Sequence, residues 1–225
     1  MIHHYVNLVC WRGILEVYDP SRDQIWVDSV SLLRFATTKR TDVAYRPGTT
    51  VLADISFDEL NCGSWFFLTA APLLRISSNV QFELPFFEDA SVAGELEGLM
   101  HELVPGTRVA IGVSSPKQNH LAIALHQLRP DLEFHCLGAA VAEIDAALHA
   151  CKGRKSVLSG SGLEWLRFLL VSPRRTFIKI GITVWESLLL LVHKDSREAF
   201  GRFVAICASA AETAADEESG MYRRG

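Results

Sequence analysis

Short apolar runs alternate with an amphipathic stretch in the middle of the chain, which is the pattern of an α/β protein. Val109–Val113 predicts a buried strand, Gln118–Leu128 predicts a helix, and Glu133–Leu137 predicts a second strand. A strand–helix–strand unit of this length forms a parallel pair with a right-handed crossover. We therefore expect a Rossmann-like α/β fold with a mainly parallel sheet and functional residues at the carboxyl ends of its strands.

Upstream of this unit the pattern predicts further short elements. Four β-rich runs predict strands over Tyr5–Cys10, Ile14–Tyr18, Gln24–Val27 and Thr49–Ala53. Two runs with apolar residues at helical spacing predict helices over Ser29–Ala36 and Ser91–Leu103. The strand over Thr49–Ala53 would place the next residue, Asp54, at the carboxyl edge of the sheet.

The last third of the chain is predicted to be helical, over Leu163–Val171, Arg174–Val192 and Ser196–Ala211. We expect residues 1–160 to form the α/β domain, residues 161–215 a helical appendage, and residues 216–225 a frayed tail. Lys179 and Glu186 interrupt the apolar run before it reaches the length of a spanning helix. The run can instead lie on a membrane or pack against the protein. Six apolar residues can share its outer side: Phe177, Ile178, Ile182, Trp185, Leu189 and Val192.

Composition narrows the class of function. The chain has 225 residues, and its net charge of −4 argues against a nucleic-acid-binding protein, which usually carries a basic face. Its 5 cysteines lack paired spacing, and its histidines lack metal-ligand spacing, so we expect reduced thiols and no metal site. No secretory signal is visible, and we expect a cytoplasmic protein.

The turn Ser115–Gln118 is the first candidate site, because it joins a predicted strand to a predicted helix. Lys117 can neutralise a phosphate, and the Gln118 carboxamide can donate to and accept from a sugar or a base. The alternative is an ordinary helix start with solvated side chains.

Asp54 and a run of cations are the other candidate site residues. A carboxylate at a strand end can take a proton from an attacking hydroxyl, although an aspartate there is also a common turn or cap residue. Arg174, Arg175 and Lys179, with Arg167 before them, can hold a diphosphate or anionic lipid headgroups, or can simply form a solvated face.

Three of these segments together resemble the WecG/TagA/CpsF family of bacterial glycosyltransferases. Members read G-x-G-x-P-K-Q between a strand and a helix, then G-G-x-F-D, and later G-L-E-W-L followed by P-x-R. The order and spacing are similar here between Glu95 and Lys179. The matching residues are Gly112, Ser115–Gln118, Gly138–Ala140, Gly162–Leu166, Leu169 and Pro173–Arg175.

The resemblance implies an inverting, metal-independent transfer without a cofactor. A sugar would pass from a UDP-sugar to a polyprenyl-diphosphate-linked acceptor at the inner face of the plasma membrane, during synthesis of cell-surface polysaccharide. By resemblance Asp54 would be the catalytic base and Asp28 would replace an asparagine of the family. The substrate-binding residues would be Asp28, Ser115, Lys117, Gln118, Gly138, Glu164, Arg174, Arg175 and Lys179.

Two other classes of function stay open. Ala139, Ala140 and Ala142 replace the glycines and the aspartate of the second family motif, which fits an inactive homologue that binds or regulates a partner in exopolysaccharide synthesis. A generic nucleotide-binding α/β protein with chance matches would not associate with a membrane. The sequence does not decide whether the chain forms a homo-oligomer.

Overall fold

One sheet of six parallel strands organises the protein in a computed structural model. The structure describes residues 1–37, 43, 45–53, 55, 58–59, 62–74, 76–85, 87, 91–142 and 173–222, and the structural statements below concern these residues. The strands are β1 (Ile2–Val6), β2 (Asp23–Val27), β3 (Trp65–Thr69), β4 (Gln81–Glu83), β5 (Arg108–Gly112) and β6 (Glu133–Cys136). Their spatial order is β2-β1-β6-β5-β3-β4, which confirms the predicted α/β, Rossmann-like class.

Helices connect the strands and cover both faces of the sheet. The helices before β5 are α1 (Trp11–Val17), α2 (Val30–Thr37), α3 (Gly48–Ala53), α4 (Val92–Glu95) and α5 (Glu97–Glu102). The helices after β5 are α6 (Lys117–Leu128), α7 (Ala139–Ala142), α8 (Pro173–Val192) and α9 (Lys194–Tyr222). As predicted, α6 links two neighbouring parallel strands, β5 and β6.

Successive residues of each strand point to opposite faces, so each face has its own core. On the first face α4, α5 and α6 pack against β5 and β6, with Leu121 and Leu125 among the residues of α6 that are fully buried. On the second face α3 and α7 pack against Tyr5 and Phe67. Because both faces are covered, β3 and β5 are nearly continuous apolar runs rather than alternating ones, whereas β1 and β6 include histidines.

The C-terminal helices pack in a separate core with α1, α2 and β2. Phe200 and Phe203 of α9 pack around Trp11 of α1, together with Ile25 of β2 and Leu190 of α8. Burying a large apolar side chain of this kind contributes about 2 kcal/mol. The helical appendage therefore covers the β2 side of the sheet. Its last helix continues to Tyr222, and the frayed tail expected over residues 216–225 stays a prediction.

The first 18 residues differ from the prediction. The first strand ends at Val6, and the second predicted strand is the helix α1. The spacing of the apolar residues explains the helix, because Trp11, Ile14 and Tyr18 recur at intervals of three and four residues. Trp11 and Ile14 are buried. This correction moves the carboxyl end of β1 to Asn7.

The predicted strand over Thr49–Ala53 is also wrong, since residues 48–53 form the helix α3. Its β-branched residues favour a strand, but tertiary packing overrides that preference. Val51 and Leu52 are buried against the second face, and the Gly48 N–H donates to Asp28 at the start of the helix. The predicted helix over Ser91–Leu103 is divided into α4 and α5, and Gly94 and Gly98 weaken its continuity.

Candidate functional site

The carboxyl ends of four neighbouring strands form the candidate site. Strands β2, β1, β6 and β5 are adjacent in the sheet and parallel, so the residues that follow them lie along one edge. Those residues include Asp28 after β2, Asn7 after β1, Gly138 after β6 and Ser115 after β5. Open parallel sheets bind their ligands at this edge. Three of the four, Asp28, Ser115 and Gly138, were predicted as site residues.

Asp28 is a titratable group at one end of this edge, directly after the outermost strand β2. Its Oδ1 accepts a hydrogen bond of 2.7 Å from the Gly48 N–H, and the Asn7 side chain also hydrogen-bonds to it. Burial raises the pKa of Asp28 above its ordinary value, and these hydrogen bonds and the charge of Lys179 offset only part of that rise. A carboxylate with a raised pKa at a ligand-binding edge is suited to accept a proton.

The turn after β5 presents two different kinds of polar group. The Ser115 hydroxyl donates to Asn119 Oδ1 over 3.0 Å. The Lys117 ammonium donates to the Phe87 carbonyl and lies over the Phe87 ring, 5.5 Å from its centroid. Lys117 therefore reaches back to the loop before α4, which differs from its predicted role as a mobile charge for phosphate.

Gln118 and Gly138 face each other across the turn. The Oε1 atom of Gln118 is buried and has no hydrogen-bond partner among the described residues. Gly138 has a φ of +56°, and a Cβ at this position would lie 3.2 Å from that oxygen and 3.4 Å from the Val113 carbonyl. Glycine is therefore required by conformation and by space where β6 leads into α7.

Hydrogen bonds to α1 hold helix α8 near this edge. Glu186 accepts hydrogen bonds from the Trp11 indole at 3.1 Å and from Arg12 Nε at 3.0 Å, and a terminal nitrogen of Arg12 donates to Ser196 at 3.2 Å. This attachment brings the charge of Lys179 close enough to act on Asp28. The predicted binding residues Arg174 and Arg175 lie in the first turn of α8, and the Arg174 side chain is exposed.

The outer side of α8 is apolar and exposed. Trp185 is 61% exposed and Leu191 64%, whereas Thr176 and Leu190 are buried on the opposite side. The outer residues are Phe177, Ile178, Ile180, Ile182, Val184, Trp185, Leu188, Leu191 and Val192. Exposed apolar surface of this extent marks an interaction site.

No single helix among the described residues has both the length and the hydropathy that spanning a membrane requires. The segments Thr176–Val192 and Lys194–Ala210 satisfy both requirements only as a pair, bent by 104°.

Two predicted site residues, Asp54 and Glu164, lie outside the described residues. The argument that put Asp54 at a strand end does not hold, because residues 48–53 are helical. Asp28, which directly follows β2, meets that description instead.

Sequence reasoning missed Asn7, Asn119 and His4 as residues of this edge and its hydrogen bonds. Asn7 was assigned to the interior of a strand, although a polar residue directly after the apolar β1 signals a strand end. Asn119 was overlooked because its partner is distant: its Nδ2 lies 2.8 Å from His4 Nδ1 across 115 residues.

A second polar cluster lies at the opposite, amino-terminal edge of the sheet. Glu133 Oε1 lies 2.8 Å from His3 Nε2 and 2.9 Å from His135 Nε2, and the two rings stack with centroids 4.4 Å apart. These hydrogen-bond contacts hold the pKa of Glu133 well below its usual range, while burial lowers the pKa of His135 to about 4. The alternating Glu-x-His spacing within β6 was the sequence signal for this cluster.

This cluster has the ligand types of a metal site but not the arrangement. Its three ligand atoms lie within 4.8 Å of one another. The His3 and His135 rings, however, are only 7° from parallel, so one ion cannot lie in the planes of both. The Trp26 indole also donates to His3 Nδ1 over 3.2 Å, which places the proton of neutral His3 on Nε2. The geometry therefore fits a hydrogen-bonded cluster and not a shared metal ion.

Comparison with known proteins finds no relative of this chain. No protein-family model, no curated protein and no solved structure matches the chain.

Proposed function

We propose that the protein is a glycosyltransferase that moves a sugar from a UDP-sugar to a lipid-linked diphosphate acceptor at a membrane surface. The observation that carries the proposal is the edge formed by Asn7, Asp28, Ser115 and Gly138, which gathers a proton acceptor and groups suited to a nucleotide-sugar. The resemblance of the Ser115–Gln118 and Pro173–Arg175 segments to one glycosyltransferase family supports the choice of reaction.

Asp28 is the base in this proposal. Its carboxylate accepts the proton of the acceptor hydroxyl as the hydroxyl oxygen bonds to the anomeric carbon of the donor sugar. The bond from that carbon to the diphosphate oxygen breaks on the opposite side, UDP leaves with the electron pair, and the anomeric configuration inverts. The raised pKa of Asp28 favours this transfer, because a carboxylate that holds a proton more tightly is a stronger base.

The cations of α8 are placed to neutralise diphosphate. Lys179 acts electrostatically on Asp28, and Arg174 is exposed in the same helix. Guanidinium and ammonium groups stabilise the charge that develops on a leaving diphosphate. Arg175 adds a third cation to the sequence of this segment.

The apolar outer side of α8 is the membrane contact in this proposal. Exposed tryptophan and aliphatic residues beside basic residues suit the interface of an anionic bilayer. Peripheral attachment of this kind does not require a spanning segment. It would bring a membrane-embedded acceptor to the edge that holds Asp28.

Donor binding is tested by thermal unfolding of the full chain with UDP, UDP-sugars and GDP. We expect a midpoint that rises with the concentration of a uridine nucleotide, because a ligand of the folded state stabilises it by mass action. Gln118→Ala should weaken this shift, and a midpoint that no nucleotide moves would contradict the proposal. Donor binding without any turnover would instead favour the inactive, partner-binding homologue.

Membrane contact is tested by sedimentation with vesicles that contain phosphatidylglycerol. Leu191→Glu places a charge on the outer side of α8 and should release the protein into the supernatant. Val104→Glu is the matched control, since Val104 is also an apolar residue and is 71% exposed, but lies in the loop before β5. Equal vesicle binding by both variants and the unchanged protein would refute the role of α8.

A further inference from the structure

A chain of buried polar side chains runs from the candidate site through the first face of the sheet. Ser115 Oγ donates to Asn119 Oδ1 over 3.0 Å, and Asn119 Nδ2 lies 2.8 Å from His4 Nδ1. His4 Nε2 then lies 3.5 Å from Asp23 Oδ2, too far for a full hydrogen bond but close enough for electrostatic attraction. Asn119, His4 and Asp23 are buried, whereas Ser115 is half-exposed at the site.

At the far end of this chain, the contacts of Asp23 determine which groups donate and which accept a hydrogen bond. Arg22 donates to both carboxylate oxygens of Asp23, at 2.7 and 3.0 Å, and the Asp19 N–H donates to Oδ2 at 2.9 Å. Burial alone would raise the pKa of Asp23, but these hydrogen bonds and His4 bring it well below its usual range. The Asp23 carboxylate faces His4 Nε2, and the Asn119 Nδ2 group faces His4 Nδ1, so this arrangement has the His4 proton on Nε2.

The position of the His4 proton determines the orientation of the Asn119 amide and of the Ser115 hydroxyl. With its proton on Nε2, His4 has only a lone pair at Nδ1, so the Asn119 amide must turn its NH2 group toward His4. The Asn119 oxygen then faces Ser115 and takes the single hydroxyl proton of Ser115. The Ser115 oxygen, which also hydrogen-bonds to the Cys10 side chain, then presents lone pairs to the open edge, where it can only accept.

We infer that the turn after β5 recognises a hydrogen-bond donor of its ligand at Ser115 Oγ, a hydroxyl of a sugar or nucleoside, and does not recognise phosphate. The inference rests on the proposed function for the identity of that ligand as a nucleotide-sugar. Phosphate oxygens are acceptors at neutral pH, so they would meet the Ser115 lone pairs unfavourably. His4 and Asn119 are positioning residues that set the polarity of Ser115.

The other polar groups of the turn agree with this assignment. The buried Gln118 Oε1 is a second acceptor without a donor among the described residues. The Lys117 ammonium, the cation of the turn, is bonded to the Phe87 carbonyl. The diphosphate of a nucleotide-sugar is then left to the cations of α8.

The internal arrangement is tested without a ligand, by nitrogen-15 NMR of the histidine rings in the full chain at pH 7.5. The His4 ring, assigned through its side-chain carbons, should be neutral with its proton on Nε2 and an unprotonated Nδ1. A His4 ring with a proton on Nδ1 would overturn the inference, because Asn119 would then turn its oxygen to His4 and its NH2 group to Ser115.

Recognition is tested by calorimetric titration with uridine, UDP and inorganic pyrophosphate. Ser115→Ala should weaken uridine and UDP binding by about tenfold, the effect of one lost hydrogen bond, and leave pyrophosphate binding unchanged. Ser114→Ala is the matched control, since it removes an exposed hydroxyl from the adjacent residue. Weaker pyrophosphate binding in Ser115→Ala would overturn the inference and leave the proposed function standing. Failure of the unchanged protein to bind any of the three probes would overturn both.

Discussion

Replacement of His135 by phenylalanine tests the electrostatics of the cluster at the amino-terminal edge. The imidazole of His135 is buried beside Glu133, His3, Trp65 and Tyr5, and burial lowers its pKa from 6.5 to about 4. Phenylalanine keeps an aromatic ring in the stack but cannot titrate. The quantity of interest is the pH dependence of stability, because the absolute stability also changes when the Tyr5 and Glu133 contacts are lost.

The sign and size of the effect follow from proton linkage. As the pH falls below 6.5 the unfolded chain protonates this histidine, while the folded protein does not until about pH 4. Folding stability is therefore lost across that window, by about 2 kcal/mol between pH 6.5 and 5 and by about 3 kcal/mol in all. Above about pH 7.5 this group makes almost no contribution to the slope.

Urea unfolding at pH 7.5, 6.5, 5.5 and 5.0 measures this contribution. His135→Phe should lose less free energy of unfolding on acidification than the unchanged protein, by about 2 kcal/mol at pH 5.0. Tyr5→Phe is the control, because it removes the partner of His135 Nδ1 at 3.2 Å and keeps the titrating ring. Parallel stability curves for His135→Phe and the unchanged protein would refute the reasoning.

Two further predictions concern stability. Gly138→Ala should lower the free energy of unfolding by about 1 to 3 kcal/mol, because the φ of Gly138 is positive and the added Cβ would contact Gln118. Gly181→Ala, in open space on α8, should raise the free energy of unfolding by up to about 1 kcal/mol. Equal effects of the two substitutions in urea unfolding would contradict this. Asp23→Asn should cost about 3 kcal/mol, because the Asp23 carboxylate is fully buried beside Arg22. Asp131→Asn should cost less, because the Asp131 side chain is 40% exposed, and a larger loss for Asp131→Asn by the same measurement would refute this.

The central strand–helix–strand unit was predictable because local pattern and tertiary structure agree there. Val109–Val113 and Glu133–Leu137 are bounded by turns and separated by one amphipathic helix, and the structure confirms them within a residue. Thr49–Ala53 was not predictable from its β-branched residues, because burial against the second face and the Gly48–Asp28 hydrogen bond determine its conformation.

The candidate site was predictable only in part for the same reason. Ser115 and Gly138 directly follow well-defined strands, so their place at the carboxyl edge could be expected. The role of Asn119 depends on His4, 115 residues away, and no local pattern specifies that contact. Asp28 was recognised as a site residue, but its partners Asn7 and Gly48 depend on where β1 ends and where α3 begins.

The central claim is that Asp28 at the carboxyl edge accepts the proton in glycosyl transfer, and the most direct test compares the turnover of two variants. Asp54 remains the base expected by resemblance, so Asp28→Asn and Asp54→Asn are assayed together with UDP-sugars and a polyprenyl-diphosphate-linked acceptor in vesicles. Release of UDP and formation of the glycosylated lipid are both measured. We expect Asp28→Asn to slow transfer by about 10²-fold or more with donor binding retained, and Asp54→Asn to change it far less. Turnover by Asp28→Asn at the rate of the unchanged protein would contradict the account.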